Sequence, residues 1–475
     1  MFVGREREMH ELEAFWGRSS GVLVTCRGRR RIGKSTLIAE FASRSAKHFV
    51  SIVGLAPRKG MTDARQRRHF CEKIAEYAER EVVVAETWSK AFRQLDDLIG
   101  DEGRMVVLLD EISWMGGYNP DFAGYFKEAW DEYLHRHANL IFVLCGSVSA
   151  WIAENILNAT GFVGRNSFDL ELGELALADS VKLFGPGQER LSPTEKFDLL
   201  SLTGGIPKYL EEIRPELSVD ENYRRLCFLP RSLLFREFNE TLAEVFGLRV
   251  ATRGKILRLL LDGSHTVSEL ANLEDKQQGG AYTLALRDLK YAGFVEEDAG
   301  LSPLTGKRVK EARYRIRDNY ARFYLKNIEP RAEAIRKGVF ELASVSQLPG
   351  MGTIFGLQFE NLILNHVNDL FPFLGLERSL VLSASPYVQN ATQRNQGCQI
   401  DLLIQTERML MIVEIKRRKR IEHSIINEVD SKVRKLKYDR RKSVRTALVY
   451  DGDLAPSVPA DRYFDFIVPA SKLLS

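Results

Sequence analysis

Cysteine is scarce in this sequence. There are 5 in 475 residues, at positions 26, 71, 145, 227 and 398, an odd number with no C-x-x-C pair. That excludes a disulfide framework and a zinc knot. Cys26 and Cys145 lie in apolar runs and read as plain core residues. Also missing is any apolar run approaching the about 20 residues that span a bilayer. The opening MFVGREREMHELEAF is charged throughout and has no secretory core, so the expectation is a cytoplasmic chain with no membrane partner. Nor is there a large excess of one charge. Lys and Arg number 68 against 64 Asp and Glu, a formal net charge of +4, which excludes a molecule that is a polycation as a whole. No internal repeat or low-complexity segment is visible.

What is present is length, apolar content and unevenly placed charge. The chain is too long for one ordinary core, and two to four domains of about 100–200 residues are expected. Hydrophobic content of 44% and charged content of 28% fit a soluble globular protein. Residues 1–150 alternate strand and helix signals: VLVTCRG, SIVGL (51–55), MVVLLDE and LIFVLCGS (140–147), with helical text at about 63–80 and 87–99. Apolar strands separated by helices imply a parallel sheet covered on both faces. Residues 170–240 read as helical, and 347–352 as a linker. The expected domains are 1–170, 171–245, 246–330 and 350–475.

The first chemical signal is Gly28-Arg29-Arg30-Arg31-Ile32-Gly33-Lys34-Ser35, followed by Thr36. It fits G-x-x-x-x-G-K-[ST], it follows a strand and it opens a helix, the context that the motif requires. Glycines let the backbone curl so that its N–H groups face phosphate oxygens, and the helix N-terminus adds positive potential. Lys34 is expected on the β- and γ-phosphates and Ser35 on Mg²⁺. On MVVLLD-E, expected beside the first strand, Asp110 would hold Mg²⁺ through water, and Glu111 would orient or deprotonate the attacking water. Ser147 reads equally as a γ-phosphate sensor or a helix N-cap. The guanine-reading N-K-x-D motif is absent, which favours ATP over GTP.

FVGRE (2–6), the phosphate loop, LLDE, LCGS and GGIPKYL (204–210) together resemble the predicted ATPases of the archaeal type, in the signal-transduction (STAND) branch of AAA+-like P-loop proteins. The resemblance implies that Val3, Gly4, Arg5 and Glu6 lie against the adenine and that Pro207 belongs to a lid over the nucleotide. It also marks Arg165 as an arginine finger. Acting in trans, Arg165 would imply a homo-oligomer; a cis role is equally compatible.

The stretch 253–298, with Arg313–Arg317 returning, has the layout of a winged helix: helices at about 253–261, 268–273 and 280–291, the strand FVEED, and a partner strand. In a helix-turn-helix reader the last helix enters the major groove. Gln277, Gln278, Tyr282, Thr283, Arg287 and Lys290 would then be the readers. The same layout also serves as a packing module that senses nucleotide state.

From residue 355 a second α/β unit reads as helix, strands, Glu-Ile-Lys, a basic helix over 428–445, and a strand. Glu414 and Lys416, two apart on a strand, share a face, and Asp401 ends a run 13 residues earlier. Two acids and a lysine that converge can bind a divalent cation and activate water against a phosphodiester. The alternative is an exposed edge strand with an ordinary ion pair. The D-x(n)-E-x-K pattern resembles the PD-(D/E)xK, restriction-endonuclease-like nucleases, with Ile400 in place of the proline. That resemblance implies catalytic Asp401, Glu414 and Lys416, a further acid Glu360 on the preceding helix, and metal (Mg²⁺, with Mn²⁺ an option) on Asp401 and Glu414. The helix 428–445, with Lys432 and Lys435, would track a phosphate backbone, and Glu428 and Lys432 would extend the site.

Taken together, the sequence implies an α/β protein: a P-loop ATPase sheet with a helical lid, a winged helix and a C-terminal nuclease-like domain. ATP and Mg²⁺ are its expected cofactors and DNA its expected partner, with RNA as a variant. The rival reading is a non-catalytic, nucleotide-gated regulator that keeps an inactive nuclease fold.

Overall fold

The computed structural model describes residues 2–100, 102–147, 149–273, 279–393 and 396–475. Gln277 and Gln278 lie outside the described residues. The chain forms two compact units, residues 1–173 and 174–475.

In the first unit, β1 (Val22–Gly28), β2 (His48–Val53), β3 (Met105–Asp110), β4 (Leu140–Gly146) and β5 (Asn166–Leu172) form one parallel sheet in the order β2-β3-β4-β1-β5. Its central strands are apolar almost without interruption because helices cover both faces. The helices Asp63–Tyr77 and Trp88–Asp96 begin where the Thr62 and Thr87 hydroxyls accept the backbone N–H groups of Arg65 and Lys90. They bury Phe70, Trp88 and Phe92 against Phe122 and Phe126 in edge-to-face contacts. Cys26 and Cys145 face each other across β1 and β4, both fully buried.

Two features of this sheet differ from the sequence expectation. Strand β5 overlaps the start of the segment read as helical. NSFDLEL sits at the sheet edge, where Arg27 on β1 holds both Asp169 (2.9 Å) and Glu171 (2.7 Å), so its acids fit a half-exposed strand. Asp110 is also not on the strand next to β1, because β4 intervenes.

The second unit begins with helices. Pro193–Thr203 and Val219–Cys227 each start on a reciprocal capping box, Ser192–Glu195 and Ser218–Glu221. Next come the helices Val250–Leu259, Val267–Asn272 and Gly279–Tyr291, then the antiparallel pair β6 (Val295–Asp298) and β7 (Arg313–Ile316). Tyr282 corrects the reader assignment. It is 6% exposed and lies on the inward face with Leu286 and Leu289, so it packs in the core, while Thr283, Arg287 and Lys290 occupy the outward face.

The helix Met351–Asn365 then leads into a five-stranded mixed sheet. Its strands are β8 (Ser383–Gln389), β9 (Cys398–Gln405), β10 (Met409–Ile421), β11 (Ser443–Leu454) and β12 (Phe466–Pro469), in the order β12-β11-β10-β9-β8. β10 is central, antiparallel to β9 and parallel to β11. The basic helix is shorter than expected, spanning Ser424–Lys435. It stops where Leu436, 1% exposed, turns extended into the core cluster of this sheet. Among the described residues no helix is long and apolar enough to cross a membrane.

Candidate functional site

The first candidate site lies along the C-terminal edge of the parallel sheet, where ligands of open α/β sheets collect. After β1 the chain turns through Gly28 (φ 144°), Arg31 (φ 68°) and Gly33 (φ 91°). A Cβ on Gly28 would stand 2.5 Å from the Leu172 carbonyl oxygen, so only glycine fits there. Lys34, 6% exposed, donates to the carbonyls of Gly28 (3.0 Å) and Arg29 (3.1 Å), which keeps its ammonium inside the loop. Ser35 Oγ donates to Asp110 Oδ2 at 2.5 Å, a bond that reaches past the intervening β4. The hydroxyl and carboxylate therefore sit together, as the chemistry of a hydrated Mg²⁺ requires.

Strand β4 supplies the third element. Ser147 follows it, and both its N–H (3.1 Å) and its hydroxyl (2.9 Å) donate to Glu111 Oε2. Glu111 itself is in the left-handed region at φ 49°, a conformation that a non-glycine residue keeps only where surrounding structure imposes it. Ser147 thus aims the carboxylate of Glu111.

Gly4 (φ 68°) and Arg5 (φ 70°) make a tight left-handed entry to the first helix. Arg5 donates to the carbonyls of Gly173 (2.7 Å) and Ile32 (3.4 Å), tying the GRE segment to the phosphate loop. Thr36 follows Ser35 in the helix Lys34–Ser45, and Arg29 is buried at 5% exposure. Arg30 and Arg31 complete the loop. Arg165 is bound bidentately by Asp131 at 2.5 and 2.8 Å, and this pairing holds the Asp131 carboxyl below its usual range. Pro207 belongs to the second unit, at the first position of the short helix Pro207–Leu210. A hydrogen bond with Cys26, then burial, push the Cys145 thiol well up, in keeping with an inert core pair.

The second candidate site is in the C-terminal sheet. Glu414 is fully buried on central β10, and Asp401 on β9 is 7% exposed, so the edge-strand alternative does not apply. Asp401 Oδ2 accepts the N–H of Ile415 at 3.0 Å, which locks the two strands at this point. Lys432, from the helix Ser424–Lys435, places its Nζ 2.6 Å from Glu414 Oε2 and 3.2 Å from Asp401 Oδ1. Lys416 Nζ lies 2.7 Å from Glu414 Oε1, an ion pair without hydrogen-bond geometry, and 3.6 Å from Glu428.

Of the two places the sequence offered Lys432, a face that tracks a backbone and an extension of the acid site, the structure puts it in the second. It faces inward as the counter-ion of an acid pair and does not run along a phosphate backbone. Lys435 is half-buried near the end of the same helix. Burial, then the Glu414 charge, raise the Asp401 carboxyl above its usual range. Burial, then the Asp401 charge, push Glu360 up to about 7. Burial lowers Lys432, but the two carboxylates outweigh it and the net shift is upward. Among the described residues no group of three or more His, Cys, Asp and Glu is arranged to hold a metal ion. Asp401 and Glu414 are two oxygen ligands, enough for a cation that keeps several waters.

Sequence reasoning missed Arg417, next to Lys416 and pointing to the other face. Its guanidinium pairs with Asp198 (2.7 Å) and Asp451 (3.0 Å), and it lies over the Phe355 ring. Asp198 belongs to the helix Pro193–Thr203, so this helix is fastened to β10 beside the acid pair. Gln358 adds a bond to the Ser201 carbonyl at 2.9 Å.

Comparison with known proteins identifies the first site's context. Residues 2–213 match the family model of an ATPase domain found predominantly in archaea. This part of the chain is similar to archaeal-type ATPase domains, which supports nucleotide binding and hydrolysis. An uncharacterized protein of Methanocaldococcus jannaschii is 26% identical over 394 residues, covering 80% of this chain and 81% of its own. Among solved structures, a Walker-type ATPase of Pyrococcus abyssi aligns at 18% identity and TM-score 0.45, over 68% of this chain and 96% of its own. The ORC2 protein of Aeropyrum pernix, solved with ADPNP and ADP, aligns at 15% identity and TM-score 0.41, over 71% and 95%.

Proposed function

We propose that this is an ATP-hydrolysing protein whose nucleotide state governs DNA binding and Mg²⁺-dependent phosphodiester cleavage by its C-terminal sheet. The observation that carries the second half is the convergence of Asp401, Glu414, Lys416 and Lys432 on one face at the centre of that sheet. In the ATPase, Lys34 and the loop N–H groups bind the phosphates, and Ser35 and Asp110 hold Mg²⁺. Glu111, oriented by Ser147, takes the proton of the attacking water. Arg165 is proposed as a later-engaging part of the same site, after leaving Asp131.

In the C-terminal centre, Asp401 and Glu414 would hold the divalent cation, which when bound polarises the phosphate and acidifies its water. Lys416 neutralises charge that develops on the phosphate, and Lys432 keeps the acid pair compact. We read the three helices with β6 and β7 as a winged helix, with Thr283, Arg287 and Lys290 facing the nucleic acid. One observation favours the second reading, a regulator without cleavage: Lys432 already pairs with both carboxylates.

The test is incubation of the purified protein with linear DNA, plasmid DNA and RNA, plus Mg²⁺ or Mn²⁺, with and without ATP. Cleavage lost in Asp401→Ala establishes the nuclease, and its loss in Lys34→Ala establishes nucleotide gating. ATP hydrolysis without cleavage of any substrate would leave the regulator.

A further inference from the structure

A cleft of about 330 Å³ opens in the second unit between the turn at Ser264 and His265, the helix Met351–Asn365 and strands β8 and β9. Three arginines line it, and they are not equivalent. Arg313 is paired with Glu269 at 2.7 Å. Arg315 is paired with Asp298 at 3.1 Å and also donates to Asn361 and Asn365. Arg322 is 5% exposed and makes one hydrogen bond, from Nη2 to the Ile316 carbonyl at 3.1 Å. Among the described residues its Nε has no hydrogen-bond partner and no carboxylate forms an ion pair with it, although the charges of Glu360 and Asp262, which also line the cleft, act on it. Burial and the neighbouring Arg315 push this guanidinium down to about 10.

A buried cation without a counter-ion is costly unless something satisfies it. Here the unsatisfied side chain faces a cavity. A planar guanidinium prefers an acceptor that offers two oxygens, such as a phosphate. The position of the cleft adds a direction. Gln399, exposed at its rim, is two residues before Asp401 on β9 and shares its face. Glu360 lines the cleft and feels the Asp401 charge.

We propose that the cleft is an oxyanion site in which Arg322 binds one backbone phosphate of a nucleic-acid strand and directs that strand along β9 toward Asp401 and Glu414. The direction of the strand rests on the functional reading given above; the oxyanion site does not. The turn at Ser264 and His265 and β7 of the proposed winged helix then form a wall of the substrate channel.

The experiment measures binding of a fluorescently labelled single-stranded oligodeoxynucleotide to the full chain in EDTA, where no cleavage intervenes. Arg322→Gln is expected to weaken binding at least about tenfold and to lower the salt slope by about one, as for loss of one phosphate contact. Arg322→Lys is expected to recover part of the loss. Gln399→Glu, a change at an exposed rim position, guards against misfolding of the arginine variants and is expected to weaken binding by a similar factor. Wild-type affinity in folded Arg322→Gln, or in Gln399→Glu, would overturn the proposal. Competition by inorganic phosphate as effective as by unlabelled oligonucleotide would also overturn it, by identifying a free-anion site. Arg322-dependent binding with no cleavage in Mg²⁺ or Mn²⁺ would sink the nuclease and leave the cleft site standing.

Discussion

Lys432 holds two buried carboxylates apart in charge and together in space. Removing it leaves Asp401 without its cation and Glu414 with Lys416 alone, and breaking such a buried set costs about 3–5 kcal/mol. Lys432→Met is therefore expected to lower unfolding stability in urea by about 3 kcal/mol, with part of the loss restored by millimolar Mn²⁺. A variant as stable as wild type would refute the counter-ion role. Glu360 supports a prediction with a definite sign. Its carboxyl is raised to about 7 in the folded chain, so the folded state binds the proton more tightly than the unfolded state. That stabilising effect is complete below the unfolded value and is lost as pH rises through about 7. Glu360→Gln, neutral at every pH, should gain on wild type between pH 5 and 7.5, by at most about 3 kcal/mol, measured by denaturant unfolding at each pH. At this scale the sequence was legible in placement: Lys34 lies inside the loop, Ser35 meets Asp110, and Glu111 follows at the same sheet edge. It was ambiguous where charge hid geometry, since Lys432 was read both as part of a basic run and as an extension of the acid site. Its place seven residues after Ile425 and three after Val429, both buried, puts it on the inward stripe.

The helix Pro193–Thr203 shows how an element can be read correctly as a helix while its partner remains hidden. Its capping box is visible in Ser-Pro-Thr-Glu, but nothing local announces that Asp198 meets Arg417, a residue 219 positions away. Long-range pairs of this kind leave no periodic trace. The same limit explains β5: its alternating acids make sense only beside Arg27 on the neighbouring strand. Arg417 makes the helix a docked element, because Asp198 and Asp451 both turn to it. Burial already raises the Asp198 carboxyl against the pull of Arg417. Arg417→Met should leave two acids without their cation and lower stability by about 3 kcal/mol. Asp198→Asn, which keeps Arg417 paired with Asp451, should cost less. Equal stability of Arg417→Met and wild type in urea unfolding would show that the apolar contacts, such as Phe197 on Phe359, hold the helix unaided.

For the whole molecule, the matched ATPase domain ends at residue 213, whereas the first compact unit ends at 173. The last forty residues of the match, 174–213, therefore pack with the C-terminal sheet, and they include Asp198 and Pro207. The unit boundary lies three residues past the expected domain end at 170; what was not legible is that the segment after it packs with the C-terminal sheet, since the P-loop, the lid and the nuclease-like sheet read as successive modules. This division has a thermodynamic consequence. A ligand that binds only the folded state stabilises by about 2.7 kcal/mol at a hundred times its Kd. All the phosphate-loop groups, Lys34, Ser35, Asp110 and Glu111, lie in the first unit. Calorimetric unfolding with a non-hydrolysable ATP analogue and Mg²⁺ should raise the transition of that unit by about 5–10 °C, given its size. Lys34→Ala should abolish the rise. If the second transition moves together with the first, and both stay put in Lys34→Ala, nucleotide energy reaches the segment 174–213 and so the sheet that carries Asp401. If only the first moves, the nucleotide acts on the first unit alone, and gating of the C-terminal centre by ATP is refuted under those conditions.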